Sequence, residues 1–349
     1  MEVRVYSQDL KFQGVSENQT SVIWNRKYYD VGNFEIHLPI TNNNVKLYQI
    51  NNIVWLSEHE EAGVIEEIKY TQNHNTNKMV VKGRFLESYF DRRLIHPTFN
   101  FSGKTEVAMR NLLDNIRPVI PYVYLGTLQG FNDTIAFQTS WKTLLVMETK
   151  LAQSANIGYR LKPDFVNRKI YFNTYKGLDR TRSQHVRSFT EFSEEFNNID
   201  ETVLSLNNKL EKNVAYVLGE GEGENRIVEI VGDDSLTGYE RKELYVDARD
   251  LTSMDLTEAQ YRAALRQRGL EKLEENSSRK AFECDTIPYG NFVYKKNYDL
   301  GDIVTVKKGA WGLTENLRIT EIMEIYEHDI MSIVPTLGNP LPTTLNLED

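Results

Sequence analysis

Hydrophobic and polar positions alternate most clearly at Phe34, Ile36 and Leu38, with Glu35 and His37 between them and Pro39 at the end. That period of two predicts a half-buried strand, closed by a residue that cannot continue the ladder. Val64, Ile68 and Tyr70 continue the pattern after Gly63, and the Asn- and Thr-rich stretches Asn42–Asn44 and Gln72–Asn77 predict hairpin turns. Short strands in this order up to Phe99 predict a small barrel or a sandwich.

Beyond Phe99 the period changes to that of a helix. Met109, Leu112, Leu113 and Ile116 share one face, with a start near Thr105 and a stop at Pro118. A second helix is predicted from a Ser140 cap, an apolar stripe of Trp141, Leu144, Leu145, Leu151, Ala152 and Ala155, and a stop at Gly158. Tyr159-Arg160-Leu161 and Ile170-Tyr171-Phe172 then flank a Pro163-Asp164 turn, so the block up to about Asp200 predicts a small α/β domain.

The last third returns to strands. Asn213–Val231 is two apolar runs joined by an acidic glycine loop, the signature of a long hairpin. Thr257-Glu258-Ala259-Gln260 is a capping box opening a helix to about Asn276, whose charges Arg262, Arg266, Arg268, Glu271, Lys272, Glu274 and Glu275 suit a solvated face. Strands resume at Ile303–Val306 and Arg318–Tyr326, the latter with Ile319, Met323 and Ile325 expected on one side. The tail beyond Pro335 is expected to be extended and pinned, or loose.

Composition narrows the class. With 349 residues, 40% hydrophobic and 26% charged, two or three domains of a soluble globular protein are expected. An aromatic share of 11%, with nineteen Tyr, favours β-rich structure and contact surfaces. Fifty acidic against forty-one basic residues leave a net charge of −9, the wrong sign for stable nucleic-acid binding. One cysteine, Cys284, excludes an intrachain disulfide framework. The start at Met1 lacks a basic segment followed by an apolar run, and no stretch approaches a membrane span of about 20 apolar residues. Synthesis in the cytoplasm is expected, and any exit from the cell would need a route other than a signal peptide.

The search for chemistry returns weak candidates. Gly219, Gly221 and Gly223 lack the dinucleotide spacing, and Glu220, Glu222 and Glu224 would repel phosphate, so a mobile hairpin tip is expected there. The histidines His37, His59, His74, His96, His185 and His328 show no ligand-pair spacing, and Glu58-His59-Glu60-Glu61 is expected to be a solvated loop. Nothing around Cys284 would depress a thiol pKa. Glu66-Glu67 and Glu194-Glu195 are candidate carboxylate pairs by composition, but neighbours on a strand face opposite ways. No catalytic, cofactor-binding or metal-binding residue is assigned.

One resemblance outweighs these fragments. WNRKYYDVGNFEIHLP from Trp24, GVIEEIKY from Gly63 and MVVKGRFLESYFDRRLI from Met79 follow in the order and spacing of the opening domain of the phage tail hub, or tail-tip, protein family. FSGKTEVAMRNLLDNI is similar to the helix that opens that family's middle domain, and Tyr298-Asp299-Leu300-Gly301-Asp302 with Val334–Gly338 resembles its last barrel. The resemblance covers most of the chain. It implies an α+β, β-rich protein with two tail-tube-like β-barrel hub domains, at 1–99 and 201–349, around a middle α/β domain at 100–200, with a helical excursion at about 252–281.

The same resemblance implies a structural, non-enzymatic hub at the virion tail tip. Its expected partners are two further copies in a homotrimer, the tail tube or distal tail protein, the tape-measure protein, and a fibre or spike. No cofactor is implied. A tail-associated cell-wall hydrolase or glycan-binding module is the competing reading, and it would need convergent carboxylates in a cleft.

Overall fold

The computed structural model describes residues 1–338 except 58, 75, 76, 117–119, 255, 287–290, 328 and 329. Strands β1 (Val3–Tyr6), β2 (Phe12–Ser16), β3 (Ser21–Lys27) and β4 (Asn33–Pro39) precede a short helix α1 (Asn42–Leu47), followed by β5 (Ile53–Leu56), β6 (Gly63–Gln72) and β7 (Asn77–Phe85). The middle block holds β8 (Phe99–Lys104), α2 (Thr105–Ile116), β9 (Val123–Leu125), β10 (Thr134–Thr139), α3 (Leu144–Ala155), β11 (Gly158–Asp164) and β12 (Lys169–Tyr175). Then come β13 (Glu191–Ser193), β14 (Ile199–Asn207), β15 (Val214–Leu218), β16 (Val228–Gly232), β17 (Glu243–Asp247) and α4 (Glu258–Glu275). The chain closes with β18 (Arg279–Thr286), β19 (Ile303–Lys308), β20 (Leu313–Glu327) and β21 (Ile330–Gly338).

Thirteen strands make one β-sheet in the order β14-β18-β21-β20-β3-β4-β7-β6-β5-β1-β2, with β19 on β20 and β13 on β19. The seam is β20 against β3, antiparallel from Glu321↔Lys27 to Glu327↔Ser21, and it joins the first strands of the chain to the last. Among the described residues the path is open, ending on β2 and β14. The architecture is β-rich, 44% strand and 21% helix.

Burial follows the alternation that predicted it. Phe34, Ile36 and Leu38 of β4 are buried and pack with Trp24, Val81 and Phe85 in a core between the layers of the first strand region. Each such side chain contributes about 1.5–3 kcal/mol by leaving water. A second core lies under β18 to β21 around Phe192, Phe282, Val304 and Ile322. The middle block has the largest core, built on Met109 and Leu112 of α2, Leu144 and Leu151 of α3, and Phe172, and it extends to Val64 and Phe90 of the first region.

The segment 208–278 is an insertion. Its flanks are paired strands, with Asn207 of β14 opposite Arg279 of β18. Between them β15, β16 and β17 form a separate three-stranded sheet, and α4 packs on it around Val217, Tyr261 and Leu265. The predicted Asn213–Val231 hairpin is present as β15–β16 and belongs to this insertion, not to the large sheet. The capping box forms as predicted, with Thr257 and Gln260 bonding reciprocally.

Several local expectations fail for identifiable reasons. Asn42–Asn44 opens α1 instead of a hairpin turn, because the Thr41 hydroxyl accepts from the Asn44 N–H and caps a helix. Thr143, not Ser140, caps α3, so Trp141 lies before the helix and is 72% exposed. Asn156, at φ 53°, terminates α3, while Gly158 begins β11. Pro163 and Asp164 pair within β11, which moves the turn to 165–168. A bulge between Ile319 and Glu321 changes the facing of β20, so Ile319 and Ile322 are buried while Met323 and Ile325 are only partly covered.

Candidate functional site

The seam strand β3 and the residue just after it send Arg26 and Tyr28 into the junction of all three parts of the chain. Arg26 Nε and Nη2 donate to Glu61 Oε1 at 3.0 and 2.8 Å, and Nη1 donates to Asp299 Oδ1 at 2.8 Å and to the Tyr294 hydroxyl at 2.6 Å. Glu324 of β20 accepts from the Tyr294 and Tyr326 hydroxyls at 2.7 and 2.6 Å and meets His59 Nε2 at 2.7 Å. From the middle block, Arg160 of β11 reaches Glu60 and lies 3.7 Å from Glu61, with its guanidinium 4.1 Å from the centre of the Tyr175 ring.

Burial makes this network consequential. Burial alone would lower the Arg26 pKa, yet Glu61, Tyr294 and Asp299 hold it well above its ordinary value. The Glu61 carboxyl is pushed up by burial and pulled further down by Arg26 and Arg160, so it stays ionised. Glu324 follows the same logic: burial opposes ionisation, but His59, Lys295 and the Tyr326 hydroxyl bring it to about 2. Glu87 is the exception. Burial raises it to about 7, although its Oε1 accepts from the Leu161 N–H at 2.5 Å.

Tyr28 fills the centre of the same junction. Its backbone N–H donates to Thr320 O at 2.9 Å, and its hydroxyl donates to Asn156 O at 3.0 Å. The ring lies between Gly158 and Gly301, at both of which a Cβ would overlap it. Gly301 also has φ +91°, so close approach and left-handed backbone coincide there. Arg318 donates to Gly301 O at 2.6 Å and stands 5.2 Å from the centre of the Tyr28 ring. Asp302 ties in the segment between β12 and β13 by accepting from the Leu178 N–H and Arg180 Nε, both at 2.7 Å.

The arrangement supplies rigidity: its charges neutralise one another inside the fold. Two of the sequence stretches that carry the resemblance meet here, Trp24–Asp30 through Arg26 and Tyr28, and Tyr298–Asp302 through Asp299, Gly301 and Asp302. Arg26, Tyr28, Tyr294, Asp299 and Glu324 were not singled out from sequence. For Arg26, Tyr28, Tyr294 and Asp299 the available signal was their place within or beside those stretches, and Glu324 lies outside them.

The candidates from sequence fall as follows. His59, Glu60 and Glu61 are part of the joint and not a solvated loop; the expectation failed because their partners lie far away in the chain. Glu58 and His328 lie outside the described residues. His37 meets Glu35 at 2.5 Å, His74 and His185 are exposed, and His96 stacks on Trp141. Glu66 makes a bidentate pair with Arg84 at 2.9 and 3.0 Å, while Glu67 stands opposite Lys82 across the β6–β7 ladder. Glu194 and Glu195 pair separately with Lys308 at 2.7 Å and Lys307 at 2.5 Å. Cys284 is buried in β18. At the glycine loop, Gly221 and Gly223 have positive φ, and Glu220 accepts from the Ser253 N–H and hydroxyl, which pins the tip to the segment before α4. Among the described residues no group of three or more His, Cys, Asp or Glu could hold a metal ion, and no helix is long and apolar enough to cross a membrane.

With the fold and the joint defined, comparison supplies the class. The tail protein from Neisseria meningitidis MC58 superposes with a TM-score of 0.62 at 14% identity, over 97% of this chain and 96% of that one. The 43 kDa tail protein of prophage MuSo2 from Shewanella oneidensis gives 0.61 at 14% identity, over 97% and 99%. The prophage tail protein gp18 from Listeria monocytogenes EGD-e gives 0.57 at 10% identity, over 97% and 95%. The fold is that of phage tail proteins. Residues 2–339 match the family described as Siphovirus ReqiPepy6 Gp37-like protein, and the chain belongs to that siphovirus tail protein family. Among curated proteins, none matches the chain in sequence.

Proposed function

We propose that this tail protein is the hub of the tail tip, a homotrimer that closes the tail tube, contacts the tape-measure protein inside and carries a fibre or spike outside. The observation that supports this most directly is the buried joint. Arg26, Tyr28 and Glu61 from the first strand region, Arg160 from the middle block, and Asp299, Gly301 and Glu324 from the last region interlock. A part that transmits geometry from tube to tip needs its pieces held in one fixed relation, and a joint of paired internal charges holds them so.

The reading is non-enzymatic: Glu66, Glu194 and Glu195 each engage a basic side chain. It keeps the divisions 1–99, 100–200 and 201–349 as domains, with the two strand regions acting as tube-subunit mimics, so that three copies would present six to a six-fold tube. Negative-stain imaging of purified particles labelled with an antibody to this chain tests the placement. Label at the distal tip is the expected result; label along the tube or nowhere removes the hub.

A further inference from the structure

Two carboxyl groups are buried where the first strand region meets the middle block. Glu87 belongs to the 3-10 helix Leu86–Arg92 that follows β7, and Glu148 lies in α3. They are 3% and 0% exposed. Glu87 Oε1 accepts from the Leu161 N–H, but its Oε2 and both oxygens of Glu148 have no hydrogen-bond partner among the described residues. Glu148 takes a place between Leu144 and Leu151 in the buried stripe of α3, where a leucine would complete the apolar face. Such a break in an otherwise consistent pattern is expected at functional sites.

Helix α3 packs on the Leu86–Arg92 helix, and Leu86, Phe90, Leu144 and Leu151 belong to one core, so both acids stand in an apolar interface between the two parts. Tyr159 of β11 links them: its hydroxyl and that of Thr149 on α3 lie 3.1 Å apart, and it feels the charge of Asp30, Glu148 and Glu87. Burial dominates both carboxyls. It raises Glu148 well above the ordinary carboxyl range with no charge opposing it, and it brings Glu87 to about 7 against the Leu161 N–H and Arg160, with Glu61 adding to the rise. The other charges of the surrounding elements are engaged elsewhere. Arg160 reaches Glu60; on β6 and β7, Glu66 and Arg84 bond one another, with Asp91 of the short helix beside them; from α2, Glu106 and Arg110 hold the segment 126–131.

We infer that Glu87 and Glu148 form a proton-held latch between the first strand region and the middle block, closed while both are neutral and released when they ionise. The acids stand on opposing elements of one interface, so the displacement that hydrates one hydrates the other, and both protons pass to solvent in the same opening. Folded values above the ordinary 4.5 mean that the open form ionises first, so opening is favoured as pH rises from 4.5 toward about 7. Two protons released per opening change the opening equilibrium by about a hundredfold per pH unit, and one proton by about tenfold. The latch is internal to one chain and does not depend on the trimeric hub.

Amide hydrogen exchange of the purified chain between pH 5 and 7, with each rate corrected for its intrinsic pH dependence, tests the latch. Amides of Leu86–Arg92 and Leu144–Ala155 are expected to lose protection together, by close to a hundredfold per pH unit, and to stay less protected at every pH than the seam amides Glu321–Glu327. Glu87→Gln and Glu148→Gln should each reduce the dependence to about tenfold or less, and the double variant should abolish it. A dependence of about tenfold or less in the parent, or an undiminished one in Glu148→Gln, would overturn the latch. Equal protection at the interface and the seam would overturn it too, since the chain would then open only as a whole. If the double variant fails to fold, the parent and either single variant still distinguish two coupled protons from one.

Discussion

The ring of Tyr28 occupies the space that a side chain at Gly301 would need. Tyr28 directly follows the seam strand β3 and Gly301 precedes β19, so the fit sets the distance between the first and last strand regions. Gly301→Val adds a β-branched side chain at φ +91° and drives it into the ring. The backbone strain alone is about 1–3 kcal/mol. A lower unfolding temperature of the purified chain and a loss of assembled particles are expected; normal particles would mean that the junction adjusts.

Breaking the Arg26–Glu61 pair should be costlier than its single bridge suggests. Arg26→Met leaves Glu61 buried, with Arg160 3.7 Å away as its remaining cation. A loss of about 3–5 kcal/mol is expected. Arg26→Met combined with Glu61→Gln should recover part of it, and equilibrium urea unfolding of the two single variants and the double variant measures the coupling.

Acid should loosen the same joint. Glu324 has a folded pKa of about 2 against an ordinary 4.5, so its contribution is complete above pH 4.5 and disappears as pH falls toward 2. The shift corresponds to about 3 kcal/mol. Unfolding free energy measured across that window should fall more gently in Glu324→Gln than in the parent, and parallel curves would remove Glu324 as a source of acid sensitivity.

Glu87 has the opposite sign. Its folded pKa of about 7 exceeds 4.5, so the unfolded chain ionises first and stability declines between pH 4.5 and 7. Glu87→Gln keeps an acceptor for the Leu161 N–H and removes this loss. A gain of up to about 3 kcal/mol at pH 8, with little change at pH 4, is expected in denaturant titrations at the two pH values.

The carboxylates flagged from sequence should be quiet. Glu66, Glu194 and Glu195 make partly or fully exposed ion pairs, a type that solvent screening leaves weak. Replacing Glu66, Glu67, Glu194 or Glu195 singly with Gln should leave assembled particles active. A swap that spares assembly yet abolishes wall degradation by the purified chain would restore the enzyme reading.

Local patterning in the chain was informative wherever one side of an element met water and the other met the core. Phe34, Ile36 and Leu38 behaved as their alternation required, and Thr257 with Gln260 formed the expected cap. Glu60 and Glu61 were opaque because acidic neighbours look solvated until Arg26 and Arg160 are brought beside them by the fold. The facing of Met323 and Ile325 was misjudged for a similar reason, since a bulge leaves no mark in an apolar run. Gly301 was legible, being a glycine just before a strand, but the ring that demands it belongs to Tyr28, just after β3, and could not be inferred from the glycine.

The insertion at 208–278 departs and returns through one register pair, Asn207 with Arg279. Its two feet stand where an ordinary hairpin turn would, so the large sheet keeps its register across the break, and the insertion is held instead by the middle block, where the Thr252 N–H donates to Gln138 Oε1 at 2.9 Å and Lys150 Nζ to Glu275 Oε1 at 2.7 Å. Variation in this segment would spare the pairing of the large sheet and fall on its contacts with β10 and α3.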